Sequence, residues 1–216
     1  MHFLRRPGRP PERLVAYLVR AEETVSEVRR IELAALDDLA SVDFEKDGDV
    51  VEAQLVLVCG HGSRDACCAR RGTAVYRALE GNVAGDLWLS SHQGGHRFAA
   101  NVLTLPAGVQ LGRVDAGDAV SFTARALAGR IQLDHYRGRT CYDPSVQAAE
   151  HAIRMALGLD GVEDLRLASV EGSVVCFRDR RGNEHQAAVV ETTGPVVPAS
   201  CGAEPEAQRV LEARLG

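Results

Sequence analysis

Along the chain, apolar residues fall into short blocks whose periods change from strand-like to helix-like and back. Arg13–Arg20 reads as a first strand, and Thr24–Leu33 alternates apolar and charged residues closely enough to be a second. Ala34–Leu39 predicts a short helix and the acidic, glycine-containing Asp43–Val50 a loop. Gln54–Val58 carries a Val/Leu run of the kind found in strands buried on both faces. Ala69–Glu80 then spaces Val75, Ala78 and Leu79 as a helix does, with Gly81 placed to end it. Asp86–Ser90 is another buried-looking strand, and Val102–Leu105 and Val109–Val114 flank a Pro106-Ala-Gly108 hairpin signal. Ala119–Ala128 reads as helix. The order strand–helix–strand–hairpin–helix predicts an α/β (α+β) sandwich of the thioredoxin-like kind.

The C-terminal part has a different rhythm. Asp143-Pro-Ser145 opens a helix carried by Val146–Leu157. Leu165–Val170, Val174–Arg178 and His185–Glu191 read as short antiparallel strands, with Arg181-Gly-Asn183 as a turn, and Ala207–Leu215 reads as helical. The chain therefore divides into a sandwich over residues 13–142 and a helix with a small β extension over 143–216. Residues 5–12, with three prolines and three arginines, form an extended lead-in.

Composition narrows the class. Of 216 residues, 45% are hydrophobic and 25% charged, the profile of a globular protein with a sizeable core. No apolar run approaches the ~20 residues of a spanning helix, so no membrane association is expected. The net charge of −5 argues against a nucleic-acid-binding domain. Of the 25 basic residues only Lys46 is lysine, which we read as coding bias. The N-terminus lacks the apolar core of a signal peptide, so a cytoplasmic location is expected.

In a reducing compartment the six cysteines point to metal or redox chemistry rather than to a disulfide framework. Two clusters follow the two buried-looking strands, at the strand ends where α/β sheets place their sites. The first is Cys59 with Cys67 and Cys68; the second is His92-Gln-Gly-Gly-His96. Gly62, Gly94 and Gly95 lie in the same loops and let backbone approach a ligand. Two thiolates and two imidazoles suit tetrahedral zinc, or a [2Fe–2S] cluster in which histidines replace two cysteines on one iron. Eight residues separate Cys59 from Cys68, wider than a zinc knuckle, and this suits a larger object. Spacing leaves Cys67 and His61 as competing ligands. Cys141, Cys176 and Cys201 read as small buried residues. His135, His151 and His185 each stand alone and read as surface or satisfied core histidines.

The stretches Val58–Gly72, Ser91–Asn101 and Leu111–Asp115 and, weakly, Ser200-Cys-Gly202 resemble the sucrase/ferredoxin-like family, over about residues 13–205. That family is similar to thioredoxin-like [2Fe–2S] ferredoxins, whose four-cysteine pattern ends in Cys-x-x-x-Cys, where His92 and His96 stand here. The resemblance implies Cys59 and Cys68 as thiolate ligands and His92 and His96 as imidazole ligands of the cluster iron. It prefers Cys68 over Cys67 because fungal relatives carry one cysteine nine positions after the first. Family members commonly have a small-residue segment before the first strand that has no counterpart here. The sucrase half of the family name finds no support, since no acidic pair stands in a glycosidase-like motif. The expectation is an electron carrier or redox sensor with an unidentified redox partner protein and no catalytic residues of its own. A zinc-binding structural module and a metal-free thiol oxidoreductase using Cys59, Cys67 or Cys68 remain as alternatives; the latter lacks a Cys-x-x-Cys motif.

Overall fold

The computed structural model describes residues 1–8, 12–62 and 66–216, with the backbone alone at His96. Arg64 lies outside the described residues. The central feature is a six-stranded sheet built from β1 (Leu4–Arg5), β5 (Leu55–Cys59), β6 (Asp86–Ser90), β7 (Val102–Leu105), β8 (Val109–Leu111) and β9 (Tyr136–Arg139). Its spatial order is β1-β6-β5-β7-β8-β9. β5 and β6 are parallel, Cys59 opposite Ser90, and the other pairings are antiparallel. The α-helix α1 (Ala66–Leu79) connects the parallel pair, and α2 (Ala119–Leu127) follows the β7–β8 hairpin. The order β6-β5-β7-β8 with these directions and helices is a thioredoxin-like sandwich.

Every residue of β5 is buried, as its unbroken apolar run requires of a strand covered on both faces. The pleat divides that run. Val56 and Val58 join Val75, Tyr76 and Leu79 of α1 and Ala119 and Ala126 of α2 in one core. Leu55 and Leu57 face the opposite way, onto a three-stranded sheet of β2 (Leu14–Ala21), β3 (Ser26–Leu33) and β4 (Asp49–Val50), through Val28, Tyr17 and Val19. Each fully buried Val or Leu contributes about 1.5–3 kcal/mol, so β5 is the strand on which both layers depend. A 3-10 helix, Leu36–Ser41, replaces the short α-helix expected at 34–39, and β4 adds two paired residues at the end of the expected loop.

The C-terminal part forms a second core. α3 (Pro144–Leu157) starts with proline in its first turn and ends at Gly158, whose φ of 66° is left-handed. Its Val146, Ala149 and Ile153 pack on Leu165, Val175, Phe177, Ala187 and Val189. These come from a four-stranded antiparallel sheet, β10 (Leu165–Glu171), β11 (Val174–Asp179), β12 (Glu184–Pro198) and β13 (Pro205–Leu215). The sequence reading fails at β13, where residues 207–215 are strand rather than helix. Their Ala, Glu, Leu and Arg content favours helix by only ~0.7 kcal/mol per residue or less. A ladder from Ala187↔Leu215 to Pro198↔Pro205, together with packing of Leu211 and Ala213 on the α3 core, outweighs that preference. β9 and β1 were also not read from the sequence; both are edge strands of four residues or fewer.

Two polar links, one fully buried and one half-buried, join the parts. Glu150 and Arg154 of α3 form a fully buried ion pair at 2.9 Å. Glu150 also accepts a 2.7 Å hydrogen bond from the Tyr136 hydroxyl of β9. Glu23, in the β2–β3 turn, accepts from the Tyr142 hydroxyl and from the amide of Leu167.

Candidate metal centre

Three chain segments converge at the C-terminal ends of β5 and β6. Cys59 is the last residue of β5 and is fully buried. Its amide donates to the Asn101 carbonyl at 3.0 Å, which fixes the strand end. Cys68 lies in the first turn of α1, on the buried face it shares with Gly72, Val75, Tyr76 and Leu79, spaced as one side of a helix. It is fully buried beside Cys59 and Ala99. His92 follows β6 in the glycine loop and is half-buried.

The Sγ atoms of Cys59 and Cys68 and a ring nitrogen of His92 all lie within 4.8 Å of one another. The structure thus brings together three of the four residues singled out by the sequence. The fourth, His96, starts a 3-10 helix at His96–Phe98, and its side chain lies outside the described residues. Two sulfur donors and an imidazole, mostly shielded from water, form a soft-to-borderline donor set that fits iron or zinc and not a hard oxygen-seeking cation.

The competing ligands are engaged elsewhere. His61 uses Nδ1 to accept the His92 amide at 3.2 Å, so it braces the loop through that nitrogen. Cys67, one residue before Cys68, is partly buried against the same cluster and forms a disulfide with Cys201, with Cα atoms 6.3 Å apart. This corrects two readings: Cys201 is not an isolated small residue, and one pair of the six cysteines is a crosslink. The bond ties the β12–β13 hairpin to α1 beside the candidate centre. Cys176 is buried on β11, and its thiol is pushed up by burial, as is that of Cys141. His135, His151 and His185 bond to Gly112 O, Leu133 O and Asp179 respectively.

The loop that carries His92 is shaped by polar groups that the sequence reading did not single out. Gly94 and Gly95 have φ of 82° and 62°, where a side chain is strained. Asn101, fully buried, donates to the carbonyls of Gly94 and Gly95 and accepts from Arg137 at 3.0 Å. Gln93 donates to Leu57 O and Ser90 Oγ, anchoring the loop on β5 and β6. Asn101 closes the quoted Ser91–Asn101 motif, so a signal for it existed. Arg137 sits on the unread strand β9 and had none. Burial, and then the charge of Arg97, lowers its pKa from the usual guanidinium value. Of the arginines near the ligands in sequence, Arg71 donates to Ala99 O at 3.3 Å and Arg97 to Gln208 at 2.5 Å.

Fold and site together define a thioredoxin-like protein with a cysteine–histidine centre at its strand ends. The chain belongs to the sucrase/ferredoxin-like family, which matches residues 11–138. It is 34% identical over 110 residues to altered inheritance of mitochondria protein 32 of Meyerozyma guilliermondii, covering 46% of this chain and 38% of that protein. The protein of the same name from Saccharomyces kudriavzevii is 41% identical over 59 residues, covering 26% of this chain and 19% of its own length. The chain thus matches well under half the length of these curated relatives. Among solved structures, a thioredoxin-like [2Fe–2S] ferredoxin from Aquifex aeolicus is similar at 17% identity and a TM-score of 0.38, covering 44% of this chain and 97% of that one. Among the described residues no helix is long and apolar enough to cross a membrane.

Proposed function

We propose that this chain is a one-electron carrier or redox sensor that holds a [2Fe–2S] cluster through Cys59, Cys68, His92 and His96. The observation that carries the reading is the convergence of two buried thiols and an imidazole on one point. Membership of the sucrase/ferredoxin-like family supports it. The cluster, when bound, accepts and donates one electron. Two neutral imidazoles in place of two thiolates make its surroundings about two charges less negative, which favours the reduced state and raises the potential. This chain's own residues hold the thiols in a dry pocket, fix the backbone of the loop that carries His92 through the His61, Gln93 and Asn101 contacts, and engage Cys67 in a crosslink. A protein redox partner supplies and removes the electron.

Anaerobically purified protein is expected to be brown, with about two irons and two acid-labile sulfides per chain. The same three-donor convergence also suits a single zinc ion in a structural module. One zinc per chain, with no labile sulfide and no visible colour, overturns the cluster and leaves that second reading.

A further inference from the structure

Beside the candidate centre lies a cleft of about 1000 Å³ between the sandwich and the β12–β13 hairpin. Its sandwich wall carries Arg71, Arg97, Arg113 and Arg137, and the hairpin wall is mainly apolar, with Val197, Val210 and Leu211. The guanidinium carbons of Arg97, Arg113 and Arg137 stand 5.0, 4.9 and 4.9 Å from the centroid of one ring, Phe98. Most arginines elsewhere in this chain meet a carboxylate: Arg6 with Asp86, Arg29 with Glu27, Arg125 with Asp160, Arg154 with Glu150. Among the described residues none of the four on the sandwich wall does, whereas the fifth arginine of the lining, Arg209 on the hairpin, pairs with Glu191. The described hydrogen-bond acceptors of the four are neutral: Ala99 O, Gln208 Oε1, Gly94 O and Asn101 Oδ1. Asp134 is the one acidic residue in the lining.

An acidic chain that gathers unneutralised like charges in a concave site holds them at the cost of mutual repulsion, which a bound anion relieves. Guanidinium groups are also the donors best matched to phosphate oxygens. Arg137 is preset for such a role. Its stem lies where β-carbons on Gly112 would fall, and its head is fixed by Asn101 beneath the Gly94–Gly95 loop.

We propose that this cleft binds a diphosphate-bearing small molecule, with the phosphates on Arg97, Arg113 and Arg137 and the organic body against the apolar hairpin wall. A small molecule rather than an acidic protein is favoured because the site is concave, of small-ligand size and walled on two sides. The inference does not rest on the cluster, because none of these arginines is a proposed ligand.

The test is isothermal titration of the full chain, as purified and with its iron content measured, with inorganic pyrophosphate and with adenosine 5′-diphosphate at low salt. One site per chain is expected for each, weakening as salt rises. Arg97→Ala with Arg113→Ala should weaken binding by tenfold or more, and Arg178→Ala, on the distant β11, should leave it unchanged. Should the double variant not fold, the wild-type chain still answers: pyrophosphate should protect Arg97 and Arg113 from phenylglyoxal. Binding in protein that carries zinc and no iron would uphold the cleft while the metal content, read separately, overturned the cluster. No binding of either probe, binding indifferent to the arginine changes, or arginine-dependent binding of polyglutamate alone would overturn the proposal, the last in favour of a protein-docking surface.

Discussion

Gly72 of α1 lies directly against the carbonyl oxygen of Cys59, with no room for a β-carbon between them. The obstacle is backbone, not the end of a flexible side chain, so it cannot swing aside. The helix that delivers Cys68 therefore packs on the strand end that delivers Cys59 only because position 72 has no side chain. Gly72→Ala should push α1 off β5, separate the two thiols and cost about 1–3 kcal/mol by overpacking. Thermal unfolding and iron content check this; a variant with unchanged stability and full iron would mean the helix has slack that the structure does not show.

The Cys67–Cys201 bond closes a loop with a sequence separation of 134 residues. Constraining so long a loop in the unfolded chain gives typically about 2–4 kcal/mol. Cys201→Ser should lose that stability and keep its metal, and dithiothreitol should lower the melting temperature of the wild type but not of the variant. Cys67→Ser should behave like Cys201→Ser. Loss of iron in Cys67→Ser with retention in Cys68→Ser would instead make Cys67 the ligand.

What the sequence made legible follows from where the information is local. β5, α1, β6 and α3 each bury a face set by their own periodicity, and each appears within a few residues of its expected place. Cys59 and His92 were legible because motif residues sit immediately at the ends of those elements; spacing left Cys67 and Cys68 open, and only the family resemblance preferred Cys68. β13 was not legible, because its helix-favouring composition is overruled by a partner strand, β12, that no local pattern reveals. The Cys67–Cys201 link and the Arg137–Asn101 contact join residues 134 and 36 positions apart. Such pairings are properties of the folded topology and leave no periodic trace in the chain.

Glu150 and Arg154 are both fully buried, and Arg154 also donates to the carbonyls of Leu159, Gly161 and Val162. Removing one partner leaves an uncompensated buried charge, at about 3–5 kcal/mol. Glu150→Ala should cost that much in urea unfolding. The double change with Arg154→Met should cost less than the two single changes combined, since their shared interaction is then counted once. Tyr136→Phe should cost about 1 kcal/mol through loss of its bond to Glu150. Strict additivity would show that the pair is not coupled.

Asp179 ends β11 and accepts hydrogen bonds from Asn183, Arg181 and His185 around the Arg181–Asn183 turn. The Asn183 side chain and then His185 hold its carboxyl well below the usual carboxylate range. A folded pKa below the unfolded one makes the contribution present above about pH 4, the unfolded value, and lost as pH falls toward the folded one. Asp179→Ala should therefore be less stable than wild type at neutral pH, with the gap closing on acidification below about pH 4. A gap that stays constant down to pH 2 would show that the carboxylate's charge plays no part in holding the turn.

The ligand reading makes its sharpest demand on the histidines. His92 faces two thiols, and a neutral imidazole there adds no charge to the donor set. Replacing His92 or His96 with Cys adds a thiolate and about one negative charge beside the iron. An added electron then meets a less favourable neighbour, so the reduction potential must fall. A bound cluster should survive the change, because thiolate is itself a good ligand for iron. His61→Ala should behave differently, since His61 touches the loop through the His92 amide and not through the donor set. It should loosen the loop and leave the potential near that of the wild type. Protein-film voltammetry on the three variants separates the cases. A potential unmoved by His92→Cys and His96→Cys but shifted by His61→Ala would transfer the ligand role to His61.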